Sequence, residues 1–227
     1  SSATPHLAPL APALLSCIMS VAPRTGKFMH MVCAFAMLSS TFAQEADDLI
    51  PQLVAVIETM EVEAYGSTLS ALTSLFHTDT TCTLSELVSF LQVIALMFQH
   101  APPRSSRASD KCFSHLVLSL GPVATHFPTL TKPIVEVLVC VCQYRSHMLR
   151  PFDVPRILGL LGILLGPRLA GPVHERDASA IFGGICGVLR SLIRHRKDLI
   201  KPCLPHLTEL LSQQWRLLSH VSSAHTG

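Results

Sequence analysis

Apolar residues recur every three to four positions through most of this 227-residue chain, which is the spacing of one face of an α-helix. The clearest stripe follows Val62, Tyr65, Leu69, Leu72 and Phe76. Similar stripes contain Leu53, Val56, Ile57 and Met60; Leu84, Leu87, Val88, Leu91 and Phe98; Phe113, Leu116, Val117 and Leu120; Ile181, Ile185, Val188 and Leu192; and Leu204, Leu207, Leu211, Trp215 and Leu218. The pattern predicts an all-α protein with about ten helices.

The segment from Ile134 to Cys142 is less clear, because valines alternate with other residues and β-branched side chains favour strands. A strand needs a second strand for pairing, and no other segment of the chain has the sequence pattern of a strand. We therefore expect a buried helix here.

Several helix ends are marked by capping residues. Thr83 and Glu86 have the spacing of a capping box, in which each side chain bonds an amide of the first helical turn. Asp110 and Asp177 are predicted to cap the helices that follow them.

A proline close to a helix start recurs at Pro51, Pro133 and Pro202, which are 82 and 69 residues apart. Each separation is close to two units of the helix-pair repeats of HEAT and armadillo proteins, which are about 40 residues long. We therefore predict a HEAT/armadillo-like solenoid. The alternative is that these prolines begin three ordinary helices of a bundle.

Two polar breakers interrupt the helical pattern, at Ala101–Ser109 and at Gly166–Pro172. Neither is long enough for a domain linker, so residues 1–227 are predicted to form a single helical-repeat segment. In the first breaker, Ser105 and Ser106 lie between arginines, where phosphorylation would place new negative charge. An unmodified solvent loop is the alternative.

The composition suggests a part of an assembly, because 49% of the residues are hydrophobic and only 14% are charged. No apolar run reaches the roughly 20 residues that a membrane-spanning helix needs, so we expect no membrane span. The eight cysteines are scattered without a Cys-x-x-Cys pair, which favours buried thiols in a reducing compartment. The chain begins without an initiator Met or a basic signal region, so we expect a piece of a larger protein.

Charge is distributed unevenly along the chain. Residues 1–100 carry two basic and eight acidic side chains, whereas residues 101–227 carry fifteen basic and seven acidic ones. The basic half is compatible with nucleic acid or an acidic partner. It is equally compatible with two halves that face differently charged neighbours.

The sequence contains none of the catalytic or metal-binding motifs that its twelve histidines and eight cysteines would suggest. There is no His-Glu-x-x-His, zinc-finger spacing, Gly-x-Ser-x-Gly elbow or phosphate-binding glycine loop. The glycines at 183, 184 and 187 lie in a helical stripe, where small residues allow two helix backbones to approach closely. We expect no enzyme activity, cofactor, metal or small-molecule substrate.

One cluster of charge remains at the junction of the last two predicted helices. It consists of Arg190, Arg194, Arg196, Lys197 and Lys201. Arg190 and Arg194 are one helical turn apart, so both can contact one phosphate or carboxylate. We predict a contact with RNA or an acidic partner. The alternative is that these cations complement a helix C-terminus.

The residues around this junction carry a family resemblance. Cys186–Arg196, which ends in Leu-Ile-Arg-His-Arg, and the following Leu204–Leu211, with Leu-Pro-x-Leu-x-x-Leu-Leu, resemble the C-terminal domain of the unhealthy ribosome biogenesis protein 2 homolog family. The resemblance is concentrated in residues 181–218. It implies the C-terminal part of a large nucleolar helical-repeat protein, and the family pattern supplies no catalytic residue.

Together these features lead to a functional hypothesis with one alternative. We expect a non-catalytic scaffold in the nucleus and nucleolus that supports early large-subunit assembly and pre-rRNA processing. Its partners would be other ribosome assembly factors, with pre-rRNA as a further candidate. The alternative is a HEAT-like protein-binding adaptor of a cytoplasmic complex, which would purify without RNA.

Overall fold

A computed structural model describes residues 32, 35, 36, 50–76, 82–166, 175–209 and 211–212. Its α-helices are α1 (Ile50–Thr59), α2 (Val62–Ser74), α3 (Leu84–Gln99), α4 (Ser106–His126), α5 (Thr131–Tyr144), α6 (Asp153–Leu164), α7 (Glu175–His195) and α8 (Lys197–Ile200). Short 3-10 turns cover Pro128–Leu130, Ser146–Met148 and Lys201–Cys203. No strand occurs in these ranges, which confirms the all-α class.

The number of helices differs from the prediction. Eight α-helices have defined bounds among the described residues, fewer than the ten or so expected for the chain, and residues 204–209 and 211–212 are helical as well. The helix α4 continues for 21 residues through Gly121 and Pro122, where a Gly-Pro pair would ordinarily end a helix. The HEAT/armadillo-like repeat arrangement stays a prediction.

The chain divides into two compact units, Ser1–Phe113 and Ser114–Gly227. In the first unit, α1 and α2 pack against α3. The α2 stripe is confirmed at Tyr65, Leu69, Leu72 and Phe76, which are all buried, whereas Val62 at the helix start is exposed. The Tyr65 hydroxyl donates a hydrogen bond to the Met97 carbonyl at 3.0 Å, which satisfies its polar end inside the core.

The predicted capping box is present at the start of α3. The Thr83 amide donates to Glu86 Oε2 at 2.7 Å, and the Glu86 amide donates to Thr83 Oγ1 at 3.4 Å. The hydrogen bonds from the Thr83 amide and hydroxyl favour the ionised carboxylate and lower the pKa of Glu86 below its ordinary value.

We expect Thr83→Ala to lower the free energy of unfolding by about 1 kcal/mol at neutral pH, because the first turn of α3 loses its cap. The capping contribution of Glu86 should be complete above its unfolded-state pKa of about 4.3 and lost as pH falls through the lower folded-state pKa. Urea unfolding at several pH values measures both effects. Equal stability of Thr83→Ala and wild type at pH 7 would contradict this account.

The two predicted aspartate caps are wrong. The helix α4 begins at Ser106 and α7 at Glu175, so Asp110 and Asp177 lie inside helices. Each helix therefore begins before the aspartate. Its first turn is polar, so no apolar stripe marks the start of the helix.

The first breaker is also shorter than predicted, because residues 106–109 belong to α4. The non-helical part is 101–105, where Arg104 has a positive φ of 72°. Ser105 is only 1% exposed, and its hydroxyl donates to the Pro102 carbonyl at 2.7 Å. The structure contradicts the phosphorylation hypothesis at Ser105, because the hydroxyl is buried and already bonded. The side chain of Ser106 and residues 167–172 of the second breaker lie outside what the structure describes.

In the second unit, the valine-rich segment is confirmed as the buried helix α5, which packs against α7. Its buried residues are Thr131, Ile134, Val135, Val137, Leu138, Val141 and Cys142. The recurrent prolines lie where predicted, near the starts of α1 and α5, and Pro202 lies in a 3-10 turn that leads into helical residues 204–209. In the part of the chain described, no helix is long and apolar enough to cross a membrane.

Candidate functional site

The helix α7 carries the family-like sequence and is positioned by its contact with α5. Its stripe of Ile181, Ile185, Val188 and Leu192 is buried as predicted. At Gly184 the two helices approach so closely that an added Cβ would lie 2.4 Å from Val135 Cγ1. At Gly183, by contrast, an added Cβ would have no neighbour within 4 Å. The interpretation of these glycines as a close helix contact is therefore confirmed at Gly184.

The predicted basic cluster divides into two kinds of side chain. Arg190 and Arg194 on α7 are exposed, as are Lys197 and Lys201 beyond its end. These four cations are accessible to a ligand.

Arg196 is different, because its side chain is only 17% exposed and binds the protein itself. Its guanidinium donates to the carbonyls of Ser146, at 3.0 Å, and Leu149. It also bridges both carboxylate oxygens of Asp198, at 3.2 and 3.1 Å, and the hydrogen bond from Arg196 lowers the pKa of Asp198. Arg196 thus fixes the α7–α8 junction to the turn that follows α5.

This clamp, formed by Arg196 with the carbonyls of Ser146 and Leu149, brings a second basic segment, residues 149–156, next to the cluster. Leu149, whose carbonyl accepts from Arg196, is followed by Arg150 and by Phe152, which is 44% exposed. The guanidinium carbons of Arg150 and Arg156 lie 5.8 and 5.0 Å from the centre of the Phe152 ring, within the range of cation–π contacts.

Sequence reasoning missed this second segment, because it lies about 45 residues before the cluster along the chain. A local signal was available: Phe152 and Arg156 are four residues apart, which places them on one side of a helical turn.

The turn that carries Phe152 is held by a buried carboxylate. Asp153 accepts from Ser114 Oγ and from the Arg150 amide, both at 2.8 Å, and is 1% exposed. These bonds satisfy the buried carboxylate and fix the backbone on both sides of Phe152.

A second exposed feature of α7 is apolar. Phe182 is 60% exposed and Ile193 is 51% exposed, and they are eleven residues apart on one side of the helix. Large apolar side chains in solvent at helical spacing are typical of a protein-binding surface.

An open groove also lies between α5 and α7. Its volume is about 270 Å³, and its lining is mainly apolar, with Lys132 and Glu136 among the lining residues. Such a lining suits an apolar side chain of a partner better than a phosphate.

The cysteines of α5 are poorly suited to chemistry. Burial raises the pKa of Cys140 to about 11, with a further contribution from the charge of Glu136. Burial alone raises the pKa of Cys142 to about 12. No group of three or more potential metal ligands was found among the described His, Cys, Asp and Glu residues.

We expect these two thiols to resist alkylation, because at pH 8 only about a thousandth of Cys140 and less of Cys142 would be thiolate. Cys186 and Cys203 are only partly buried and should be labelled before Cys140 and Cys142. A time course with iodoacetamide, followed by peptide mass spectrometry, measures the order. Labelling of Cys142 in the folded chain as fast as Cys203 would contradict the burial.

These features define a helical module with exposed basic and apolar side chains on its surface. Residues 132–227 match the model of the Urb2/Npa2 family, which confirms the predicted resemblance over a stretch longer than residues 181–218. This is a family of ribosome biogenesis factors, which is the role that the resemblance predicts. Comparisons with curated proteins and with solved structures give no match.

Proposed function

We propose that this protein is a non-catalytic scaffold of large-subunit assembly, acting in the nucleolus through contacts with other assembly factors and with pre-rRNA. The match of residues 132–227 to the Urb2/Npa2 family carries this proposal. The surface chemistry of the matched helices supports it in two ways.

The first support is the exposed apolar side of α7. Phe182 and Ile193 remain in solvent although the same helix buries a complete stripe against α5. A helix with one covered and one uncovered apolar side is suited to bind a further protein.

The second support is the set of exposed cations at Arg190, Arg194, Lys197 and Lys201. Their charge suits phosphate or carboxylate groups. A cytoplasmic adaptor that binds protein alone remains the second candidate, favoured by the apolar groove between α5 and α7.

Depletion of the protein from cells tests the proposal directly. We expect early precursors of large-subunit rRNA to accumulate, and re-expression of the wild-type protein to restore their processing. Normal precursor levels after complete depletion would contradict a role in this pathway.

Rescue with surface variants tests which contacts matter. A Phe182→Ser, Ile193→Ser variant should lose co-purification with assembly factors, because the polar side chains remove the exposed apolar surface. Leu118→Ser provides a matched control, since Leu118 is a similarly exposed apolar residue on α4. Equal loss in the control would show that general destabilisation is responsible.

A further inference from the structure

Phe152 is an exposed aromatic residue, and the guanidinium groups of Arg150 and Arg156 lie over its ring. Arg156 is exposed and lies one helical turn after Phe152, and Arg150 precedes Phe152 by two residues. Ring faces and guanidinium planes both stack on nucleic-acid bases, and neither requires a particular base.

The clamp made by Arg196 joins the segment that carries this ring to the α7–α8 junction, which carries further cations. The residue after Arg196 is Lys197, and the Arg196 guanidinium donates to the carbonyl of Leu149, the residue before Arg150. The segments 149–156 and 194–201 are therefore neighbours in space, although they are far apart in sequence.

The carboxylates in these two segments are engaged by the protein. Asp153 is buried and bonded to Ser114 and to the Arg150 amide. Asp198 is bridged by Arg196. The remaining charged side chains are cations, of which Arg156, Arg194, Lys197 and Lys201 are exposed.

We propose that segments 149–156 and 194–201 form one binding surface for single-stranded RNA, with a base stacked at Phe152 and phosphates bound by Arg156, Lys197 and neighbouring cations. This inference deepens the proposed function and rests on it. Single-stranded RNA matches both parts of the surface, because each nucleotide offers a flat face and a negative phosphate. An acidic peptide would use the cations and leave the ring without a role.

The experiment measures RNA affinity by fluorescence anisotropy with the purified 227-residue chain and a labelled mixed-sequence single strand of about 12 nucleotides. Salt is varied between about 50 and 200 mM. We expect Phe152→Ala to weaken binding about 5- to 100-fold without changing the salt slope, since it removes stacking and no charge. Phe152→Tyr should retain binding, whereas Phe152→Leu should lose it.

The matched control is Phe127→Ala, because Phe127 is also 44% exposed. Its affinity should equal that of the wild type. The double variant Arg156→Gln, Lys197→Gln should reduce the logarithmic salt slope by about 1.4, with about 0.7 lost for each phosphate contact on a single strand.

Three outcomes would overturn the inference: no RNA binding at the lowest salt, equal affinity of Phe152→Ala and Phe127→Ala, or tighter binding of polyglutamate than of RNA. The last outcome would identify a surface for acidic protein. Thermal unfolding must show that each Phe152 variant is as folded as the control, and Phe152→Leu provides the comparison if the alanine variant is not. If the wild-type protein still purifies with pre-rRNA from cells, the proposed function stands even when this inference fails.

Discussion

Replacing Gly184 by alanine is expected to lower the free energy of unfolding by about 1 to 3 kcal/mol, the range for inserting a methyl group into a packed contact. The new Cβ would lie 2.4 Å from Val135 Cγ1, much closer than carbon atoms can approach. Val135 has little freedom to move away, because a valine in a helix has one strongly preferred rotamer. The contact between α5 and α7 would have to open.

The adjacent glycine provides the control. Gly183 is exposed, and an added Cβ there meets nothing within 4 Å. Gly183→Ala should therefore raise the free energy of unfolding by about 0.5 to 1 kcal/mol, because alanine restricts the unfolded chain and favours helix. Urea unfolding followed by circular dichroism compares the two variants. Effects of the same sign would contradict the described packing of α7 on α5.

The second large effect is expected at Arg196. Arg196→Ala should cost about 2 to 3 kcal/mol, because the carbonyls of Ser146 and Leu149 lose charged donors in a partly buried site. The lost pair with Asp198 should contribute less, because that carboxylate is 64% exposed and well solvated.

Two further variants separate geometry from charge. Arg196→Lys keeps the positive charge, but an ammonium group lacks the planar fork that reaches two carbonyls and a carboxylate. The stability of this variant should therefore lie between those of Arg196→Ala and the wild type. Arg190→Ala should change stability by less than about 0.5 kcal/mol, because Arg190 is exposed on α7. A stability of Arg196→Ala equal to that of Arg190→Ala would show that the clamp is unimportant.

The helical part of the fold was predictable because it depends on local spacing. The stripes of α2 and α7 identify buried faces directly, and Thr83 with Glu86 marks the start of α3 by its own chemistry. The starts of α4 and α7 were not predictable from stripes, since their first turns are polar. Pro122 lies inside α4, four residues before the helix ends, so the Gly-Pro pair at 121–122 does not end this helix as its local pattern would predict.

The candidate site was predictable only in part, because it joins residues distant in sequence. Arg190 and Arg194 were correctly placed on one exposed side of a helix by their spacing. No local pattern distinguishes Arg196, whose role depends on the carbonyls of Ser146 and Leu149. The contact between segments 149–156 and 194–201 likewise joins residues far apart in sequence, through the Arg196 guanidinium and the Leu149 carbonyl.

The RNA that accompanies the protein in cells tests the central claim most directly. The protein should be purified at physiological salt and its bound RNA sequenced. A scaffold of large-subunit assembly predicts strong enrichment of large-subunit pre-rRNA over mature rRNA and messenger RNA, together with known assembly factors. A stable complex of cytoplasmic proteins without pre-rRNA would contradict the claim and favour the protein-binding adaptor.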